Sequence, residues 1–92
     1  MQAVFKKEDI TKALGVTLGV VEKKQTLPIL ANVLLEVNES GFHLTATDLE
    51  SEVRTSGPLE GVSSEGRTTT SAKKLNDLCR LIPDGSSIEI KL

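Results

Sequence analysis

Aromatic side chains are almost missing from this 92-residue sequence: Phe5 and Phe42 are its only rings. Modules that hold nucleic acid by stacking bases need exposed aromatics, so the composition argues against that class. Cysteine is scarcer still. Cys79 has no second thiol to pair with, which excludes an internal disulfide and fits a reducing cytoplasm. No apolar run approaches the roughly 20 residues of a membrane span, so no membrane partner is expected. The opening residues MQAVFKKEDI turn charged almost at once, and no secretory signal is expected there. The sequon Asn38-Glu39-Ser40 then carries no meaning. What remains is one small domain, or part of one. Its aliphatic core is modest, because a chain this short buries only roughly 60–65% of the surface it exposes when unfolded.

The net charge is −2, which by itself does not suggest a partner of opposite sign. Its distribution says more. Residues 1–24 carry five lysines against three acids, whereas residues 36–66 carry seven acids against Arg54 alone. Residues 71–82 turn basic again, with Lys73, Lys74 and Arg80 against Asp77. Segregation of this kind suggests one side that faces a polyanion.

Periodicity supplies an order of elements. Gln2–Lys6 is short, β-prone and partly alternating. From Glu8 to about Val21, Ile10, Ala13, Leu14, Thr17, Leu18 and Val21 recur at helical spacing. Lys12, Gly15, Val16 and Gly19 occupy the opposite face. Pro28 favours extended backbone before it, so Ile29–Val37 reads as a strand buried on much of both faces. Lys23 and Lys24 then lie in the helix-to-strand loop. After the turn NESG, Phe42, Leu44 and Ala46 alternate with His43, Thr45 and Thr47. Asp48 bends the chain, and Glu50–Thr55 alternates again. The glycine- and serine-rich stretch that follows holds at most a short edge strand. RTTTS is a further strand, and Ser71 is a natural N-cap. Ala72, Leu75, Leu78, Cys79 and Ile82 would form the apolar face of the second helix, opposite Lys73, Asn76, Asp77 and Arg80. PDGS ends that helix before the strand SIEIKL. The sequence thus starts one β-α-β-β-β unit twice, and the second copy stops after its first returning strand. An α+β fold follows, with two helices packed on antiparallel sheets and a truncated second unit.

Short motifs offer little catalysis. Ser71-Ala72-Lys73-Lys74 has the Ser-x-x-Lys spacing of an acyl-transfer nucleophile, but its Ser-Asp-Asn and Lys-Thr-Gly companions are missing. An N-cap serine accounts for it. Asp48, Glu50 and Glu52 would share one strand face, which suits a solvated edge better than a cation site. His43 has no partner nearby in sequence to make it a base. Cys79, on an apolar helix face, reads as a buried structural thiol. The basic helix faces are the better lead. Lys12, Lys23, Lys24, Lys73 and Arg80 would line one surface if the helices pack side by side, although scattered lysines also occur on ordinary solvated faces.

Three segments carry a resemblance. TLPILANVLLEV, LTATDLE and SAKKLNDLCRLIPDG are similar, in order, to the first domain of the bacterial sliding-clamp family, the beta subunits of DNA polymerase III. The likeness spans essentially all 92 residues. It implies a non-catalytic processivity factor without a cofactor or metal. In that family three such domains form a subunit, and two subunits close head to tail around duplex DNA with helices inward and sheets outward. By resemblance, Lys12, Lys23, Lys24, Lys73 and Arg80 would face the DNA backbone without sequence preference. Lysine at position 24 keeps the charge but not the bidentate fork of arginine, which is frequent there. Lys74 would lie where two subunits meet. Contacts with polymerase and clamp loader would use parts of the subunit outside this chain, residues 1–92 being an incomplete N-terminal clamp domain. The rival reading is a small α+β protein-interaction domain that never meets DNA.

Overall fold

The computed structural model describes residues 1–21, 32–47 and 52–92. Along the chain run β1 (Gln2–Lys6), α1 (Lys7–Val21), β2 (Asn32–Asn38), β3 (Gly41–Thr47), β4 (Glu52–Gly57), β5 (Gly61–Ser64), β6 (Gly66–Ser71), α2 (Ala72–Arg80) and β7 (Ser87–Lys91). The expected α+β succession is present, including the short strand in the glycine-rich stretch.

Two antiparallel sheets result, ordered β4-β3-β2-β6 and β5-β1-β7. The connectivity is reciprocal. Strand β6 opens the second β-α-β unit yet completes the sheet of the first, pairing Val33 with Thr70 and Leu35 with Thr68. Strand β1 opens the first unit yet pairs with β7 of the second, Ala3 opposite Ile90 and Phe5 opposite Ile88. Each unit therefore lends its first strand to the other, and neither sheet closes without both.

Helix α1 buries Ile10, Ala13, Leu14 and Thr17, the face its spacing predicts. The Thr17 hydroxyl would be unsatisfied there, but it donates to the carbonyls of Ala13 and Leu14 at 3.2 and 3.0 Å. Acids at Glu8 and Asp9 suit the positive end of the helix dipole. Its first turn is also clasped from outside. The Lys7 amide donates to the Ser86 carbonyl at 3.0 Å, Lys7 Nζ meets Asp84 at 2.8 Å, and the Gly85 amide donates to Glu8 Oε1 at 3.0 Å.

The helices lie side by side, and α1 rests on β3 and β4. Between these layers Phe5 of one sheet meets Phe42 of the other, ring centroids 5.2 Å apart and tilted by 57°. Both rings are fully buried, with Leu14, Leu35 and Leu44 around them. Each such side chain contributes about 1.5–3 kcal/mol of transfer free energy, so this seam is where the two sheets are joined.

Two expectations need correction. Strand β2 is buried on one face, through Val33, Leu35 and Val37, while Leu34, Glu36 and Asn38 are half-buried. Among the described residues, helices cover one side of the sheet, and the side chains on its other face are only partly buried. Leu78 was expected on the apolar face of α2, yet it is 62% exposed; Ala72 and Cys79 are the buried pair. Helix α2 packs chiefly on α1 and β6, and among the described residues its far flank leaves Leu78 and Leu81 exposed. The predicted start of the Ile29–Val37 strand and the bend at Asp48 lie outside the described residues.

Candidate nucleic-acid interface

The charged face begins with the capping of α2. Ser71 has extended backbone, φ −66° and ψ 119°, and its Oγ accepts from the Lys74 amide at 3.2 Å. The N-cap reading of Ser71 holds, and the cap fixes the phase of every residue that follows. Ala72, Leu75 and Cys79 turn inward, which leaves two outward ridges. Lys73, Asp77 and Arg80 form one, at spacings of four and three. Lys74, Leu78 and Leu81 form the other, and its leucines are 62% and 82% exposed.

On α1, Lys12 is exposed, flanked on the solvent face by Gly15 and by Val16, which is 49% exposed. The outward faces of two adjoining helices thus carry Lys12, Lys73, Lys74 and Arg80, all exposed. Ion pairs among the described residues are Lys7–Asp84 and Arg54–Glu36. The four cations take part in neither, so their charge is directed to solvent. Lys23 and Lys24 lie outside the described residues.

Apart from Asp77 on α2 and Glu8 and Asp9 in the first turn of α1, the described acids lie elsewhere. Glu39, Glu52, Glu60 and Glu65 are exposed on strands and turns. Of the suspected carboxylate trio, Glu52 opens β4, and Asp48 and Glu50 are outside the described residues. No metal-holding group of His, Cys, Asp and Glu occurs among the described residues.

His43 has a partner that sequence proximity did not show. Pairing of β3 with β4 sets it opposite Ser56, and Nδ1 lies 2.6 Å from Oγ. Glu36 stands opposite His43 on β2, but its carboxylate faces Arg54 at 3.7 Å. The row forms a polar ladder on the outer face of the sheet. Burial pushes the Cys79 thiol above its ordinary range, with Lys7 partly opposing the shift. It is a protonated core group, as its helix position predicted. The cleft between α1 and β4 is lined by Asp9, Lys12, Ala13, Val16 and residues 55–58, with no nucleophile–base pair among them.

The whole chain, residues 1–92, matches the family described as DNA polymerase III beta subunit, N-terminal domain. The beta sliding clamp of Pseudomonas putida is 41% identical over all 92 residues, and that of Escherichia coli 37%. Each alignment takes in all of this chain and 25% of the relative. Among solved structures, the Pseudomonas aeruginosa DNA polymerase III subunit beta superposes with a TM-score of 0.90 at 39% identity, covering 100% of this chain and 24% of that one. The Caulobacter crescentus pol III beta gives 0.90 at 32% identity, covering 99% and 24%. The chain therefore spans about a quarter of the length of the relatives it matches.

Proposed function

The chain belongs to the DNA polymerase III beta subunit, N-terminal domain family, and from that premise we propose that its helical face forms part of the DNA-facing wall of a sliding clamp. In this reading the protein is a non-catalytic processivity factor. It encircles duplex DNA and tethers the replicative polymerase in the cytoplasm. Polymerase and clamp loader bind parts of the subunit outside this chain. Lys12, Lys23, Lys24, Lys73 and Arg80 meet phosphates. The single observation that carries the reading is the set of exposed cations on two adjoining helices, which take part in neither ion pair among the described residues and are accompanied on their α2 ridge by one acid, Asp77.

Lys74 has a different role in the proposal. It lies on the other ridge of α2, beside exposed Leu78 and Leu81. A cation bordering an apolar strip suits a protein contact better than a phosphate contact. We assign it to the boundary between two subunits of a homodimeric ring, where salt-screened attraction tunes assembly.

Fluorescence anisotropy with a labelled duplex tests the DNA reading. Binding should be weak, indifferent to sequence, and reduced by salt, with about −0.9 in the slope of log K against log salt for each neutralised phosphate. Lys73→Ala with Arg80→Ala should shallow that slope by about 2. Salt-resistant binding, sequence preference, or an unchanged slope in the double variant would overturn it.

A further inference from the structure

One lysine of the basic N-terminal block is engaged inside the molecule. Among the described lysines of residues 1–24, Lys6 and Lys12 are exposed, whereas Lys7 has only 12% of its side chain accessible. Its Nζ donates to Asp84 Oδ1 at 2.8 Å. Backbone contacts join the same two places. The Lys7 amide donates to the Ser86 carbonyl at 3.0 Å, and the Gly85 amide donates to Glu8 Oε1 at 3.0 Å. Gly85 holds φ 81°, a conformation that glycine adopts readily and other residues do not. The lysine hydrogen bond, and then its charge, hold the Asp84 carboxyl below its usual range. The same charge acts on Cys79, on the buried side of the last turn of α2.

The clasped loop is closed on itself. The Ser86 amide donates to the Pro83 carbonyl at 3.3 Å, and the Leu81 and Ile82 amides donate to the carbonyls of Leu78 and Cys79 at 3.3 and 3.2 Å. A shift of Asp84 is therefore passed to the last turn of α2, where Arg80 stands. On the other side of the clasp, Lys12 follows Lys7 on α1 by about 7.5 Å along the helix axis. The two cations that belong to different helices are thus tied through one ion pair.

We propose that Lys7 is a positioning residue for the cationic face: through Asp84 it fixes the last turn of α2, and with it Arg80, relative to α1 and Lys12. This rests on the DNA reading of that face and adds to it a lysine that acts without touching the duplex. Phosphates recur at fixed intervals along DNA, so a preset separation of cations reduces the ordering that binding must impose. Charge alone predicts the opposite consequence of losing Asp84. Removing an acid from a protein that faces a polyanion should raise affinity. Releasing the clasp should lower it.

Asp84→Asn, Asp84→Glu and the exchange of Lys7→Glu with Asp84→Lys test this, each read in two ways. Fluorescence anisotropy with a labelled duplex, well below the melting temperature, reads affinity. Asp84→Asn should weaken binding by up to about fivefold, the range of a single ion pair. Asp84→Glu should stay near the parent, and the exchange, which keeps the parent's net charge, should recover most of the loss. Amide residual dipolar couplings without DNA read geometry. In Asp84→Asn, residues 78–86 should no longer fit the orientation that fits α1, whereas in Asp84→Glu they should. A pair that only adds stability would lower Tm and leave both readouts of the folded protein unchanged. Unchanged couplings, a rise in affinity with Asp84→Asn, or a fall repaired by neither Asp84→Glu nor the exchange would overturn the proposal. If the parent binds no duplex, the DNA reading fails and the couplings alone decide the clasp.

Discussion

Gly57→Ala tests the seam that supports the charged face. Gly57 ends β4 opposite Phe42 of β3. A Cβ there would lie 2.5 and 2.6 Å from two carbons of the Phe42 ring. Carbon atoms in contact prefer about 3.5–4.0 Å, so the ring would have to withdraw by about 1 Å or β4 would have to peel away. Neither is easy. Phe42 is fully buried and tilted against Phe5, itself fully buried. Retreat of β4 would break its ladder with β3 and lift the strands beneath α1. Overpacking of a dense core costs about 1–3 kcal/mol, and this site belongs near the upper end because backbone and ring are both fixed. For a domain of this size each kcal/mol lowers Tm by about 4–8 °C, so a fall of about 10–20 °C is expected. Urea melts followed by circular dichroism would measure it, with Gly61→Ala as the control. A Cβ at Gly61 meets nothing within 4 Å, and that variant should stay within about 0.5 kcal/mol of the parent. If Gly57→Ala is equally silent, the ring is not locked and the two sheets are not joined through Phe42 and Phe5 as described.

Two further predictions concern titration. Burial raises the Cys79 thiol despite Lys7, so iodoacetamide at pH 8 should label native protein far more slowly than protein in urea; equal rates would show the thiol to be accessible. As an acid whose folded value is raised, it should cost stability as pH rises through the ordinary thiol value of about 8.5 toward the folded one. The hydrogen bond from Lys7, and then its charge, hold the Asp84 carboxyl below the usual range. That contribution is complete above the ordinary carboxylate value and is lost as pH falls through the folded one, so Asp84→Asn should flatten the acid limb of a urea-midpoint profile.

The helical elements were legible because each has a single buried stripe. Ile10, Leu14 and Thr17 set the phase of α1, and Ser71 set the start of α2. Strand existence was legible for the same reason, as alternation at Phe42, Leu44 and Ala46 reports one buried face. Partnership was not legible. Nothing in a local pattern says that β1 pairs with β7 or that β6 pairs with β2, because such pairings join segments that are not neighbours in the sequence. Ser56 beside His43 and Arg54 beside Glu36 were hidden because they depend on the register in which β2, β3 and β4 pair. Leu78 was misplaced because composition marks it as apolar, whereas its exposure depends on whether anything covers that flank. The site was legible only as charge: Lys12, Lys73, Lys74 and Arg80 are exposed as expected, but division of α2 into a cationic ridge and a mixed ridge required the phase set by the cap.

The fold converts an order along the chain into an asymmetry in space. Basic blocks coincide with the helices and acidic blocks with strands and turns, and helices cover one side of the sheets. A net charge of −2 is therefore compatible with a cationic face. That face is also limited by its own sequence. Asp77 stands between Lys73 and Arg80 on the same ridge, four residues from one and three from the other, and lowers the potential between them. For a surface that grips one site, such an acid is a defect. For the sliding role proposed here it is useful, because tight phosphate contacts would have to be broken at every step along the duplex. In that proposal retention belongs to ring closure, and the helices need only enough charge to keep the duplex centred. On this argument Asp77→Asn should increase affinity for duplex DNA and its salt sensitivity together, while a clamp carrying that change should slide more slowly. Single-molecule tracking on stretched DNA would measure the diffusion constant, and a variant that binds more tightly with unchanged diffusion would refute the role assigned to Asp77.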